Sequence, residues 1–244
     1  MSKIYIVGTP IGNLKDITFR AIETLKKVDF IACEDTRVTK KLLTFYKINK
    51  PLLTYNKDNE KNSAKGLIKK IIKNNIDIAL VSDAGMPLIS DPGFELIKEA
   101  RSNDIQLELI PGVNAAISAM ALSGLSNTFT FLGFPKEKSS QRKKQIEEFN
   151  EQNAYIFYVS PHKINNFLED IYAIHSDNAE IFLARELTKL HEQHYRGSAN
   201  EISKLLEEGS SKGEFTMVVK LKTIKKNKIN KYEQFSKNKT ERIC

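Results

Sequence analysis

The 244-residue sequence predicts an α/β fold with largely parallel or mixed sheets, divided into two lobes. Short β-rich runs alternate with amphipathic stretches along most of the chain, the pattern of strands joined by helices. Residues that cap helices fall between many of these runs. The small-residue-rich stretch 115–126 (Ala-Ala-Ile-Ser-Ala-Met-Ala-Leu-Ser-Gly-Leu-Ser) suits a closely packed helix joining two lobes, or an internal helix of one large domain.

In chain order, strands are expected at 4–7, 30–33, 78–81, 107–110, 129–132, 154–159, 180–184 and 215–221. Between them apolar residues recur at helical spacing: Ile22 and Leu25 share a face in 18–28, as do Leu67, Ile68, Ile71 and Ile72 in 64–74. Asp91-Pro92 and Ser160-Pro161 each read as an N-cap followed by proline at the first helical position. Ser198-Ala-Asn-Glu201 reads as a capping box. The resulting division is an N-terminal α/β domain at 1–115, a C-terminal α/β domain at 116–222, and a basic tail at 223–244. The tail is too polar to bury much surface and reads as mobile, serving solubility or RNA contact.

Composition narrows the class. Hydrophobic residues are 41% and charged residues 28%, which fits a globular protein and excludes wholesale disorder. The 38 Lys and Arg against 30 Asp and Glu leave a formal charge of +8, an attraction for polyanions such as RNA but no statement about fold. Cys33 and Cys244 cannot form a disulfide framework or a multi-thiolate metal site; Cys33, within Phe30-Ile31-Ala32-Cys33, reads as a buried thiol. No apolar run reaches the roughly 20 residues that span a bilayer, and the start of the chain reads as a first strand rather than a signal peptide. A cytoplasmic protein without membrane contact is the expectation.

Three loops follow strands in the first half: Gly8-Thr9-Pro10-Ile11-Gly12-Asn13, Ser82-Asp83-Ala84-Gly85-Met86-Pro87 and Pro111-Gly112-Val113-Asn114-Ala115. Glycine and proline there allow tight turns and close approach of backbone to a ligand. If the three converge at the carboxyl ends of parallel strands, they make a small-molecule pocket. Asp83 could accept from ribose hydroxyls or simply close an Asx turn. The P-loop, the dinucleotide fingerprint and the nucleophile elbow are all missing. His191-Glu-Gln-His194 has its histidines three apart rather than four and reads as an exposed polar segment, with no metal expected. Glu34-Asp-Thr-Arg37 and Ala184-Arg-Glu-Leu-Thr-Lys189 each follow an apolar strand. Such charges can greet solvent or form fixed networks, and Arg37, Arg185 and Lys189 could contact phosphates.

Taken together, these segments resemble the tetrapyrrole-methylase-fold family, and within it the members that methylate small-subunit ribosomal RNA. The resemblance runs from Ile4 to about Lys220 and rests on Tyr5-Ile-Val-Gly-Thr-Pro-Ile-Gly-Asn-Leu14, Glu34-Asp-Thr-Arg37, Leu80-Val-Ser-Asp-Ala-Gly85, Ile89-Ser-Asp-Pro-Gly93, Tyr158-Val-Ser-Pro-His162, Ala184-Arg-Glu-Leu-Thr-Lys189 and Gly213-Glu-Phe215. It implies two α/β lobes, each with a mixed sheet, S-adenosylmethionine in the cleft between them, and a homodimer. It implies methylation of a cytidine ribose 2′-hydroxyl in 16S ribosomal RNA, in the 30S subunit. Donor-site positions carry over to Pro10, Ile11 and Gly12, to Ser82, Asp83, Gly85 and Met86, to Val113, Asn114 and Ala115, and to Tyr158, Ser160 and Phe215 of the second lobe.

The chain departs from relatives in having Met86 for a common Thr, Pro-Gly-Val-Asn-Ala for Pro-Gly-Pro-Ser-Ala, and Tyr195 for a frequent Trp. It ends in a lysine-rich tail where longer members carry a helical extension. A sulfonium already activates the methyl group, so the protein's tasks are positioning and removal of the hydroxyl proton. Asp35, Glu186 and Lys189 are candidates for that polar environment; a lysine base would need a depressed pKa. The same fold could instead methylate a tetrapyrrole or another small acceptor, and a non-catalytic RNA-binding assembly factor is a third reading.

Overall fold

A computed structural model describes residues 2–57, 60–209 and 212–223, so the expected basic tail lies outside the described residues beyond its first position. The first half comprises β1 (Lys3–Val7), α1 (Phe19–Lys27), β2 (Phe30–Cys33), α2 (Thr36–Phe45), β3 (Leu52–Thr54), α3 (Glu60–Asn74), β4 (Ile78–Val81), α4 (Phe94–Ser102) and β5 (Gln106–Ile110). Its strands are ordered β3-β2-β4-β1-β5. A mixed sheet is the expectation for this lobe; every pairing is in fact parallel. The reason lies in the connections, each of which carries a helix and returns the chain to the same end of the sheet.

Side chains alternate between the two faces of this sheet. Ile4, Phe30, Ile78 and Leu80 meet α3 and α4 through Leu67, Ile71 and Leu96, whereas Tyr5, Ile31, Ala79 and Val81 meet α1 and α2 through Leu25 and Leu43. The chain steps outward from β1 to β2 to β3, then reverses to β4 and β5. Right-handed crossovers place the helices of the two directions on opposite faces. Between β4 and β1 the connections diverge, which opens a crevice beyond the carboxyl ends of these strands.

The second half comprises β6 (Phe129–Phe131), α6 (Ser139–Glu147), β7 (Ala154–Val159), α7 (Ile164–His175), β8 (Ala179–Arg185), β9 (Gln193–Gly197), α8 (Ala199–Glu208) and β10 (Phe215–Leu221). This sheet, ordered β6-β7-β10-β8-β9, is mixed: β6 and β7 are parallel and the remaining pairs antiparallel. One face packs on α7 and α8 through Phe157, Leu183, Met217, Phe167, Ile171 and Ile202. Between the halves runs α5 (Ala115–Ser123), whose Ala116, Ala119 and Met120 pack on the other face against Ala154, Ile156, Phe182 and Val218. Alanine on both sides lets helix and sheet approach closely. Ile11 joins the same cluster from the first half.

Several local expectations change. β3 and β9 are not predicted, because β3 has only three residues and β9 is polar. The segment read as exposed and polar around His191–His194 leads into β9, which among the described residues is an edge strand paired with β8, and its mostly exposed side chains need no apolar alternation. Asp91 does not cap α4: the helix is entered through Gly93, and Glu60 of α3 accepts from the Gly93 and Glu95 N–H groups at 2.7 and 3.2 Å. Nor does the Ser160 side chain cap α7, whose N-cap is Lys163. The Ser198–Glu201 capping box is present, and Cys33 is buried.

Candidate active site

The three glycine-bearing loops meet. The Thr9 N–H donates to the Gly85 carbonyl at 2.8 Å and the Gly85 N–H to the Thr9 carbonyl at 3.1 Å, joining the loops after β1 and β4. The loop after β5 closes on the same point, with the Gly112 N–H 3.3 Å from the Met86 sulfur. Gly8 and Gly112 lie backbone to backbone: a Cβ on Gly8 would meet the Gly112 nitrogen and Cα at 2.7 Å. Only glycine permits that approach.

Above this junction, a cavity of about 280 Å³ lies between the halves. Ile11, Gly85, Met86, Asn114 and Ala115 line it from the first side and Tyr158, Ser160 and Phe215 from the second. The volume is near the lower end of small-molecule sites, and the walls are largely apolar with a few polar groups, the composition such sites share. Tyr158 faces it because β7 alternates, Tyr155, Phe157 and Val159 pointing into the core of the opposite face. Its ring is wedged between Phe131 and Phe134 at centroid distances of 4.9 and 5.9 Å. Burial pushes its hydroxyl pKa up, although hydrogen bonds from the Ala116 backbone and Asn114 oppose this. Asn114 also caps α5, accepting from the Ile117 N–H at 3.1 Å.

The other expected donor-site residues surround the cavity's loops without lining it. The Ser82 hydroxyl donates to the Ala84 carbonyl at 3.3 Å, inside its own turn. Asp83 accepts from the Asp35 N–H at 3.0 Å, tying the loop after β4 to the start of α2. The Val113 carbonyl lies near Gly85, Pro10 is buried next to Ile11, and Gly12 packs under Lys189. The ring of Phe215 is buried in the core beneath the cavity.

Sequence reasoning missed Asp91, Phe134, Pro161, Leu187, Glu214 and Thr216, which also line the cavity. Asp91 and Glu214 were within reach, since both stand in the motifs Ile89-Ser-Asp-Pro-Gly93 and Gly213-Glu-Phe215. Reading Asp91 as a helix cap hid it. Burial, then the negative charge of Glu34, pushes its carboxyl up to about 6, against a hydrogen bond from Ser82.

The three groups considered for proton removal are all held in charged form. Asp35 caps α2 through the Arg37 N–H at 2.8 Å and pairs with the Arg37 guanidinium at 2.6 Å, which holds its carboxyl down at about 2. Lys189 bonds Glu186 at 3.0 Å and Glu214 at 3.1 Å. Burial opposes its charge, but the two carboxylates outweigh this and raise its pKa, so the depressed value a lysine base needs is not found. For Glu186, burial is likewise outweighed, by the Glu214 N–H at 2.7 Å and Lys189, and its carboxyl is lowered. Of Glu186, Lys189 and Glu214, Glu214 lines the cavity, and Lys189 packs on Gly12 of the loop after β1, where the Asn13 N–H donates to the Thr188 hydroxyl at 3.2 Å.

Of the cations expected to contact phosphate, Arg37 is exposed on α2. Arg185 donates to the Lys212 carbonyl at 2.6 Å and to Gln193 at 2.8 Å, bracing the strand end. Among the described residues there is no cluster that could hold a metal ion, and no helix is long and apolar enough to cross a membrane.

Comparison with known proteins places these features. Residues 3–203 match the family model of tetrapyrrole (corrin/porphyrin) methylases. A protein of Mycoplasmopsis pulmonis named ribosomal RNA small subunit methyltransferase I is 52% identical over 91% of this chain and 99% of its own length. One of the same name from Bacillus subtilis is 43% identical over 90% of this chain and 75% of its own. Among solved structures, a diphthine synthase superposes with a TM-score of 0.70 at 15% identity, covering 92% of this chain and 91% of that one. A uroporphyrin-III-C-methyltransferase from Thermus thermophilus gives 0.65 at 17% identity, covering 89% and 94%. At such identities these last two establish the fold alone.

Proposed function

The chain belongs to the tetrapyrrole methylase family, and from that premise we propose that it transfers a methyl group from S-adenosylmethionine to the 2′-hydroxyl of a cytidine ribose in 16S ribosomal RNA. The observation that carries this reading is the cavity between the lobes, built where three glycine-bearing loops meet an aromatic wall. Relatives named as small-subunit ribosomal RNA methyltransferases support the acceptor.

The cavity suits the donor chemically. Apolar walls accept its carbon skeleton, and Glu214, Asn114 and Ser160 offer a carboxylate, an amide and a hydroxyl to its amino, hydroxyl and cationic groups. Ile11, Gly85, Met86, Asn114, Ala115, Tyr158, Ser160 and Phe215 hold it, while Pro10, Gly12, Ser82, Asp83 and Val113 shape the loops that do so. The bound donor supplies an activated methyl group. Asp91 is the carboxylate best suited to take the hydroxyl proton, because it borders the cavity and a pKa near 6 leaves it ionised yet basic at neutral pH. Glu186, Lys189 and Glu214 position the loop after β1, and Asp35 sets the start of α2.

The enzyme works as a homodimer on RNA in the 30S subunit. Exposed Leu109, Ile117 and Leu122 provide apolar surface for a second copy. Incubating 30S particles from a strain lacking this methylation with labelled donor and the protein, then mapping the label, tests the reading. A label on one cytidine ribose is expected. Label on a base, on a tetrapyrrole supplied in parallel, or on no acceptor overturns it.

A further inference from the structure

One face of α2 forms a second, shallow groove outside the cavity, lined by Leu14, Arg37, Lys40, Lys41, Thr44 and Phe45. Positions 37, 40, 41, 44 and 45 are three or four residues apart and stack into one stripe. All five are exposed, Phe45 by 57%. Among the described residues no Asp or Glu lines the groove, and no ion pair involves Lys40 or Lys41. Arg37 is already matched by Asp35, so the two lysines carry the uncompensated charge. Phe45 leaves much of its ring open among these cations. Its ring is held edge-on to Tyr46, centroids 5.0 Å apart, and the Tyr46 hydroxyl donates to the Leu14 carbonyl at 2.5 Å.

The groove and the cavity share one loop. Ile11 lines the cavity, Gly12 packs under Lys189, Asn13 bonds Thr188, and Leu14 lines the groove. Three chain steps at no more than about 3.6 Å each separate them, roughly 11 Å. A strand whose target sugar enters the cavity therefore reaches the groove within a few nucleotides. Phosphates want point charges such as Lys40 and Lys41, and an unpaired base wants an exposed aromatic face.

Resting on the methyltransferase reading above, we infer that the α2 groove is the docking site for the ribosomal RNA strand flanking the target nucleotide, with Lys40 and Lys41 on successive phosphates and Phe45 under an unstacked base. Charge complementarity and continuity with the cavity select RNA as the occupant.

The test measures binding of a 16S fragment and methylation of 30S particles across a salt series, using the full chain. For Lys40→Ala/Lys41→Ala, the slope of log affinity against log salt falls by about 1.4, and affinity drops roughly 10- to 30-fold at 0.1 M salt, since each phosphate contact contributes about 0.7. Phe45→Ala weakens binding about tenfold and leaves the slope unchanged. Lys65→Ala/Lys69→Ala, on exposed positions of α3, removes the same charge and changes neither. S-adenosylmethionine affinity stays at the wild-type value throughout. Wild-type binding and slope in both α2 variants overturn the groove assignment while leaving the methyltransferase reading intact. A changed oligomeric state in the α2 variants, by sedimentation, overturns it in favour of a subunit contact. Failure of the wild-type chain to methylate 30S particles overturns the reading beneath it.

Discussion

Lys189 lies across Gly12, the stem of the lysine filling the space where a side chain at residue 12 would stand. Its ammonium is meanwhile fixed by Glu186 and Glu214. A residue near the end of β8 therefore sets the height of the loop after β1, and the two lobes share one wall of the cavity. Gly12→Ala is expected to push Lys189 off both carboxylates. Methyl transfer then falls about 10- to 100-fold through misplacement of the reacting groups, with little change in thermal stability. Steady-state kinetics on 30S particles beside a melting curve check this.

Asp91 supplies a pH prediction. With a folded pKa of about 6, its basic form disappears as pH falls through that value, so activity declines below about pH 6. Asp91→Asn removes this limb and lowers kcat by at least about 100-fold, with donor binding retained.

The same shift has a stability consequence. A carboxyl whose folded pKa is raised ionises at a cost to the native state, incurred as pH rises from the unfolded value near 3.8 to about 6 and fully present above it. Asp91→Asn should therefore raise stability by about 1 kcal/mol at pH 7.5, after allowance for solvent screening, and by nothing at pH 3.5. Denaturant titrations at the two pH values read the difference.

Where α5 crosses the second sheet, small residues are required on both surfaces, Ala119 of the helix and Ala154 and Ala184 of the strands all being fully buried. Ala119→Leu overfills this layer and should cost about 1–3 kcal/mol in urea unfolding.

Much of this was legible in the chain itself. Short continuous apolar runs such as Ile78–Val81 marked strands buried on both faces, and the glycines after β1, β4 and β5 marked loops that approach closely. What stayed hidden depended on partners distant in sequence. Glu60 caps α4 from another helix, so Asp91 looked like a cap and not a cavity residue. Lys189 is held protonated by Glu186, three residues away, and by Glu214, 25 residues away, and no local pattern reveals the second partner. The edge strand β9 lacks apolar alternation because its side chains are mostly exposed.

The central claim is that the donor occupies the cavity between the lobes, and a crystal structure of the chain grown with S-adenosylmethionine tests it most directly. The account predicts the ligand bounded by Ile11, Gly85, Asn114 and Tyr158, with its sulfonium methyl open toward Asp91. A ligand bound elsewhere, or no binding at millimolar donor, would contradict it.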